Sequence, residues 1–296
     1  MNATELMQAL AALGSDFTPA QMAASRELFA PRVLRPEQVE GCTVIRDQRY
    51  GEDPRHRLDL FVPPVEGTKR PVFLFVHGGG FVQGDKGDAA APFYNNVGAW
   101  AAREGFLGVT MTYRLAPAHP WPAGAVDIGA ALRWLRNAVA AHGGDATRIV
   151  ICGQSAGGAH VAGYLAGHGI EPGDYTPVAG AILVSGVYDF GIASPSPMHD
   201  AYFGSDRSLH AARSTVDALA STAVPCLFTV CQRDPLEFQR QAAAVVNARV
   251  ALQGCWPAFA WLAGHNHLSS VLQLGSDVDN LGPAIRQFID RLATGT

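Results

Sequence analysis

The sequence is poor in charge. Asp, Glu, Lys and Arg make up only 16% of its 296 residues, against about 25% in an ordinary soluble protein. Lysine is almost missing, with Lys69 and Lys86 the only two, so no polybasic patch is available for a membrane surface. The net charge is −4 and the arginines are scattered, which leaves no basic stripe for nucleic acid. No apolar run reaches the roughly 18 residues of a membrane span. The first residues lack a basic stretch before their apolar run, and Glu5 interrupts it, so no signal peptide is expected. Cysteine is sparse and odd in number, at five, and no C-x-x-C occurs. Cys152, Cys226 and Cys231 sit in apolar runs, as buried thiols do, and Cys42 and Cys255 have no near partner in sequence. Reduced thiols and a cytoplasmic protein are expected. Repeats, low-complexity stretches and long linkers are also missing.

What is abundant is apolar residue and glycine: 48% hydrophobic, with 32 Gly. The length allows two domains at roughly 150 residues each, but large α/β units run longer, and a single domain is expected. Residues 1–40 read as one or two short helices. Asn2 or Thr4 can cap the first, and Thr18-Pro19 opens the second. Beyond residue 55, strand-length runs cover Arg57–Val62, Val72–Val76, Leu107–Thr112, Ile149–Cys152, Ala179–Val184, Cys226–Cys231 and Ala258–Leu262. Helical stretches lie between and after them: Ala89–Arg103, Ala123–His142, Ala156–Gly167, His210–Ala220, Glu237–Leu252 and Asp279–Leu292. Such alternation predicts an α/β fold, with a mostly parallel central sheet covered by helices on both faces. Function then gathers at the C-terminal ends of the strands.

Four strand ends carry chemistry. The Ile149–Cys152 strand runs into Gly153-Gln154-Ser155-Ala156-Gly157, a G-x-S-x-G turn before a helix. A serine on so sharp a turn is lifted clear of the sheet, and its neighbours must be small. The Val72–Val76 strand ends in His77-Gly78-Gly79-Gly80-Phe81. A glycine run there can turn backbone N–H groups toward a developing oxyanion, and His77 reads as a residue that orients this loop. The Cys226–Cys231 strand leads to Asp234, and the Ala258–Leu262 strand to His265 and His267. Ser155 can then serve as nucleophile, Asp234 as the acid that orients an imidazole, and one of the two histidines as general base; the order Ser155, Asp234, His267 suits these roles.

These residues, with Tyr113-Arg114-Leu115-Ala116-Pro117 and Asp234-Pro235-Leu236, resemble the α/β-hydrolase esterases of the hormone-sensitive-lipase type. They are similar too to the related group that holds kynurenine formamidase and small carboxylesterases. The resemblance covers residues 45–293 or so. It implies the α/β-hydrolase fold, a Ser155–His267–Asp234 triad, and an oxyanion hole from the N–H groups of Gly79, Gly80 and Ala156. It implies no cofactor and no metal. One departure stands out: Gln154 precedes the nucleophile where many of these enzymes have Asp, and this leaves subfamily and substrate open.

Rival readings accompany these assignments. His265 is the alternative base, and Asp189 the alternative acid. Glu237 fits the first turn of a helix, His160 a satisfied interior position, and Trp134 the core. The irregular segment from Phe190 to Asp206, with residues 1–40, is a candidate lid over a catalytic domain spanning 41–296. Phe81, Gln154, Tyr188, Phe203 and Leu268 are candidate pocket residues, with Trp121 beside them. The expected function is a serine carboxylesterase for small, apolar acyl or aryl esters, acting through an acyl-enzyme. An arylformamidase with the same triad is the alternative, and a non-catalytic binding protein on the same fold a remote one. The expected partner is a small-molecule ester, with no nucleic acid and no membrane span, and a homodimer is left open.

Overall fold

A computed structural model describes residues 1–64 and 69–294. Positions 65–68 and 295–296 of the expected catalytic segment lie outside the described residues. The strands, in chain order, are β1 (Thr43–Arg49), β2 (Arg57–Val62), β3 (Arg70–Val76), β4 (Leu107–Met111), β5 (Gly144–Gln154), β6 (Gly180–Val184), β7 (Cys226–Arg233) and β8 (Ala258–Asn266). They form one sheet in the order β1-β2-β4-β3-β5-β6-β7-β8. β1 and β2 join antiparallel, and every pairing from β4 through β3 to β8 is parallel.

The helices are α1 (Ala3–Leu13), α2 (Pro19–Phe29), α3 (Asn95–Arg103), α4 (Ala123–Ala138), α5 (Ala156–Leu165), α6 (Pro197–Phe203), α7 (Val216–Ser221), α8 (Leu236–Gln253), α9 (Ser269–Leu272) and α10 (Gly282–Thr294). Side chains alternate across a strand, and the core divides accordingly. Val72, Leu74 and Val76 of β3 share a cluster with α4, α5, α7 and α8. Phe73 and Phe75 join the opposite cluster, with α1, α2, α3, α9 and α10. Helices therefore cover both faces, as the near-continuous apolar strands require.

The first two helices start where their caps place them. The Asn2 side chain accepts from the Glu5 N–H at 3.0 Å while Glu5 reaches back to the Asn2 N–H at 2.8 Å. Thr18 and Gln21 form the same reciprocal box before Pro19. These helices are anchored: Leu6, Leu10 and Phe29 are fully buried and pack with Leu262 and Val271.

Several expected boundaries shift. β1 has no counterpart among the sequence-predicted strands. It is an edge strand rich in charged and polar side chains, none fully buried, and edge strands lack the apolar signature of inner ones. The helix expected from Ala89 begins at Asn95, because Asp88 Oδ1 takes the N–H groups of Ala90 and Ala91 into a turn and Pro92 follows. The helix expected from His210 begins at Val216 after two 3₁₀ turns. The segment from Phe190 to Asp206 is not wholly irregular, since it holds α6, capped by Ser196. β8 runs on to Asn266, so His265 lies in the strand itself.

Candidate active site

Ser155 is the hinge between β5 and α5. Its backbone sits at φ 57°, ψ −121°, a region that costs a non-glycine residue strain energy. The N–H of Ser155 donates to the Val184 carbonyl of β6 at 2.9 Å, which ties the turn to the sheet. The turn lies hard against β3, where a Cβ on Gly157 would overlap the Val76 carbonyl oxygen. Only a residue without a side chain lets helix and strand approach this closely.

The glycine loop after β3 faces this turn. Gly79 and Gly80 have φ of 133° and 60°. Among the described residues neither N–H has an acceptor. The N–H of Ala156 opens α5, where helix geometry supplies no internal partner. His77 stands behind this loop, fully buried. Its Nδ1 donates to the Gly78 carbonyl at 2.7 Å, and its ring stacks on Tyr113 at 4.3 Å. Burial, opposed by the Gly78 hydrogen bond and aided by the Arg55 guanidinium, pulls its pKa down to about 3. It is thus a neutral strut for the loop. Arg55 completes the support by donating to the carbonyls of Tyr113 at 2.6 Å and Gly84 at 2.8 Å.

At the ends of β7 and β8, Asp234 and His267 meet. Asp234 Oδ1 is 2.8 Å from His267 Nδ1. Asp234 Oδ2 accepts from the Ser185 hydroxyl and the Cys231 N–H, both at 2.6 Å. The carboxylate is fully buried, and these donors fix its plane. With Nδ1 carrying the proton shared with Asp234, Nε2 keeps its lone pair. His267 Nε2 is buried and has no hydrogen-bond partner among the described residues. Ser155 and His267 line the same cleft, of about 470 Å³. Gln154 adds a tie by donating to the His267 carbonyl at 3.2 Å.

The rival residues are engaged elsewhere. His265 places Nδ1 at 3.1 Å from the Ser269 hydroxyl and Nε2 at 3.3 Å from the Val278 carbonyl. Burial brings its pKa down to about 4. Asp189 accepts from the Gly191 N–H at 2.9 Å and the Ser214 hydroxyl at 3.3 Å. Glu237 lies in the first turn of α8 and takes the Ser194 N–H. His160 is buried, 3.3 Å from the Tyr202 hydroxyl, and burial holds its pKa to about 3. Among the described residues no group of three or more His, Cys, Asp or Glu side chains could hold a metal.

The pocket residues need correction. Gln154 and Leu268 line the cleft, but Phe81, Tyr188 and Phe203 do not. Phe81 stacks on Tyr202 at 4.7 Å and meets Phe203 edge-on at 5.3 Å, in a separate apolar cluster. Tyr188 is buried, with its hydroxyl accepting from the Gly186 N–H at 3.1 Å. Trp121 packs under Arg213 at 4.9 Å. The walls come instead from Phe17 and Met22 near the N-terminus, from Phe93 and Tyr94, and from Met198 of α6. No local pattern marks these residues. Phe93 and Tyr94 lie inside the helix expected from Ala89, and Phe17 lies between the two N-terminal helices.

Known proteins resemble the chain in sequence and in shape. The BD-FAE family model matches residues 58–190. That span takes in the glycine loop and Ser155 and stops short of Asp234 and His267. The carboxylesterase NlhH of Mycobacterium tuberculosis is 41% identical over 136 residues, 45% of this chain and 40% of that protein. The esterase LipC of the same species is 36% identical over 126 residues, 40% of this chain and 30% of that protein. The chain therefore spans two fifths or less of these curated relatives. Esterase B from Lactobacillus rhamnosis superposes with a TM-score of 0.74 at 20% identity, over 99% of this chain and 97% of that one. A truncated carbohydrate esterase from gut microbiota gives 0.73 at 19% identity, over 88% and 100%. These superpositions carry the fold, and the fold is that of the α/β-hydrolases.

Proposed function

We propose that this chain belongs to the hormone-sensitive-lipase-like group of α/β-hydrolases and is a serine carboxylesterase. The observation that carries the reading is one cleft into which a strained elbow serine and a carboxylate-held histidine both open. Ser155 Oγ attacks the ester carbonyl carbon as His267 Nε2 takes its proton. Asp234 holds the ring in the tautomer that leaves Nε2 free and stabilises the imidazolium. The carbonyl oxygen becomes an oxyanion and moves among the N–H groups of Gly79, Gly80 and Ala156. His267 then returns its proton to the leaving alcohol. Water, activated in the same way, releases the acid from the acyl-enzyme.

The cleft favours small esters with apolar groups. Its volume of about 470 Å³ lies within the usual range for small-molecule sites, roughly 300–1,000 Å³. Phe17, Met22, Phe93, Met198 and Leu268 give it apolar walls. The test has two parts. A fluorophosphonate should label Ser155 one to one, and the Ser155→Ala protein should not be labelled. Aryl acetate and butyrate should turn over faster than an N-formyl aryl amide. Absence of labelling would refute the nucleophile, and faster cleavage of the formamide would make the protein a formamidase.

A further inference from the structure

We propose that Phe238 is a positioning residue for His267, and that Phe17 closes the same aromatic clamp from the N-terminal segment. The inference deepens the esterase reading and rests on it. The His267 ring lies over Phe238 with centroids 3.9 Å apart and planes 29° from parallel. Phe17 meets the same ring edge-on at 4.8 Å and 83°. The two phenyl rings also approach each other at 6.3 Å. Phe238 comes from the first turn of α8 and Phe17 from the turn between α1 and α2, so two separate parts of the chain converge on one imidazole.

The need for a clamp follows from the hydrogen bonds. Asp234 fixes one atom of the ring, Nδ1. A ring held by its Cβ–Cγ bond and one hydrogen bond can still tilt about the line through those two attachments, and a tilt carries Nε2 away from the hydroxyl it must deprotonate. Nε2 has no partner of its own to stop this. The stacked face of Phe238 sets the plane, and the edge contact of Phe17 limits movement toward the cleft. Such close ring contacts restrict the tilt of the imidazole from its face and from its edge, and a small loss of alignment at a base is costly in rate. Phe238 does not line the cleft, whereas Phe17 does. The two residues should therefore have different kinetic signatures. Phe238 should act on kcat alone, and Phe17 on kcat and KM together.

The test measures kcat and KM for a short aryl ester in wild type, Phe238→Leu, Phe238→Tyr and Phe17→Leu. Phe238 is only partly buried, so the leucine variant should fold, and circular dichroism checks that it does. Phe238→Leu should lower kcat roughly tenfold with KM within about twofold of wild type. Phe238→Tyr, which keeps the stacked face, should recover most of the loss. Phe17→Leu should lower kcat less and raise KM. An unchanged kcat in Phe238→Leu overturns the proposal. So does a loss in Phe238→Tyr equal to that in Phe238→Leu, which would mark the position as packing only. If Phe238→Leu does not fold, Phe238→Tyr and Phe17→Leu decide between clamp and packing by the same kcat criterion. Failure of the esterase reading is distinct, because wild type itself would then neither hydrolyse the ester nor take the fluorophosphonate at Ser155.

Discussion

The loops at the strand ends and the segment before residue 40 build one cleft by opposite means. At the strand ends, short-range sterics do the work. Ser155 is held at φ 57° by a turn whose glycine neighbours touch the next strand, and Gly79 and Gly80 adopt backbone angles that side chains resist. In the N-terminal segment the backbone is ordinary helix, and position comes from long-range burial of Leu6, Leu10 and Phe29 against β8 and α9. Reacting atoms need placement to within a fraction of an ångström, which a strained local turn supplies. Pocket walls need only approximate shape, which packing supplies. The two regions meet at His267, where Phe17 touches the ring.

The largest effects should fall on the strand ends. Ser155→Ala and His267→Ala should each lower kcat by at least about a thousandfold, because nucleophile and base act as a unit. His265→Asn, two residues away, should keep at least about a third of wild-type kcat, since its ring bonds only to Ser269 and Val278 and an exchange there removes no reacting group. Steady-state kinetics with an aryl ester makes the comparison. The reverse ranking of the two histidines would dissolve the contrast between a strand-end site and its surroundings.

That contrast also explains what could be read from the sequence. G-x-S-x-G and the glycine run are local patterns, and local sterics translate them directly into Ser155, Gly79 and Gly80. The strand ends that carry Asp234 and the two histidines are legible from the apolar runs, whereas the choice of His267 over His265 and of Asp234 over Asp189 comes from the family resemblance. The cleft walls are not legible. Phe93 and Tyr94 lie where Asp88 and Pro92 delay a helix, and Phe17 reaches the site only because α1 and α2 fold back over β8. Phe81 adjoins the glycine run, and Tyr188 and Phe203 lie in the stretch between Ser155 and Asp234, yet these aromatic residues pack with one another or with the core. Chain proximity to a motif does not tell which aromatic residues face the substrate. β1 is illegible for the opposite reason, since an edge strand of mixed polarity has no burial pattern to show.

Behind the site, stability should depend steeply on acid. His77 and His160 are held to pKa values of about 3 and His265 to about 4, all chiefly by burial. An unfolded histidine titrates near about 6.5. Between these values the unfolded chain binds protons that the folded protein refuses, so stability is full above pH 6.5 and is lost as pH falls. Each group contributes about 1.4 kcal/mol per pH unit in that window, and the three together about 4 kcal/mol per unit. Urea unfolding at several pH values between 6.5 and 5 reads the slope. A stability that stays level down to pH 5 would mean that these rings accept protons in the folded state.

The N-terminal segment should answer to burial. Leu10 is fully buried among residues of the main core. Leu10→Ala should cost about 2–4 kcal/mol in unfolding free energy, measured by denaturant titration. A detachable cover would lose far less, so a cost below about 1 kcal/mol would show that α1 is not part of the core.

The smallest effect should appear at the wall itself. Met22, on α2, lines the cleft and is only partly buried, so it contributes shape rather than chemistry. Met22→Ala enlarges the cleft without altering the triad or the glycine loop. A hydrophobic wall discriminates weakly between chain lengths, at roughly tenfold for a well-enclosed methylene, and a half-open wall should do less. The ratio of kcat/KM for an aryl octanoate over an aryl acetate should therefore rise about three- to fivefold, while kcat for the acetate stays near wild type. The expected sign depends on Met22 setting size alone, unlike Phe17, which also touches the His267 ring. If kcat for the acetate falls with the same substitution, the hold of the N-terminal segment on the reacting groups extends beyond Phe17 to α2.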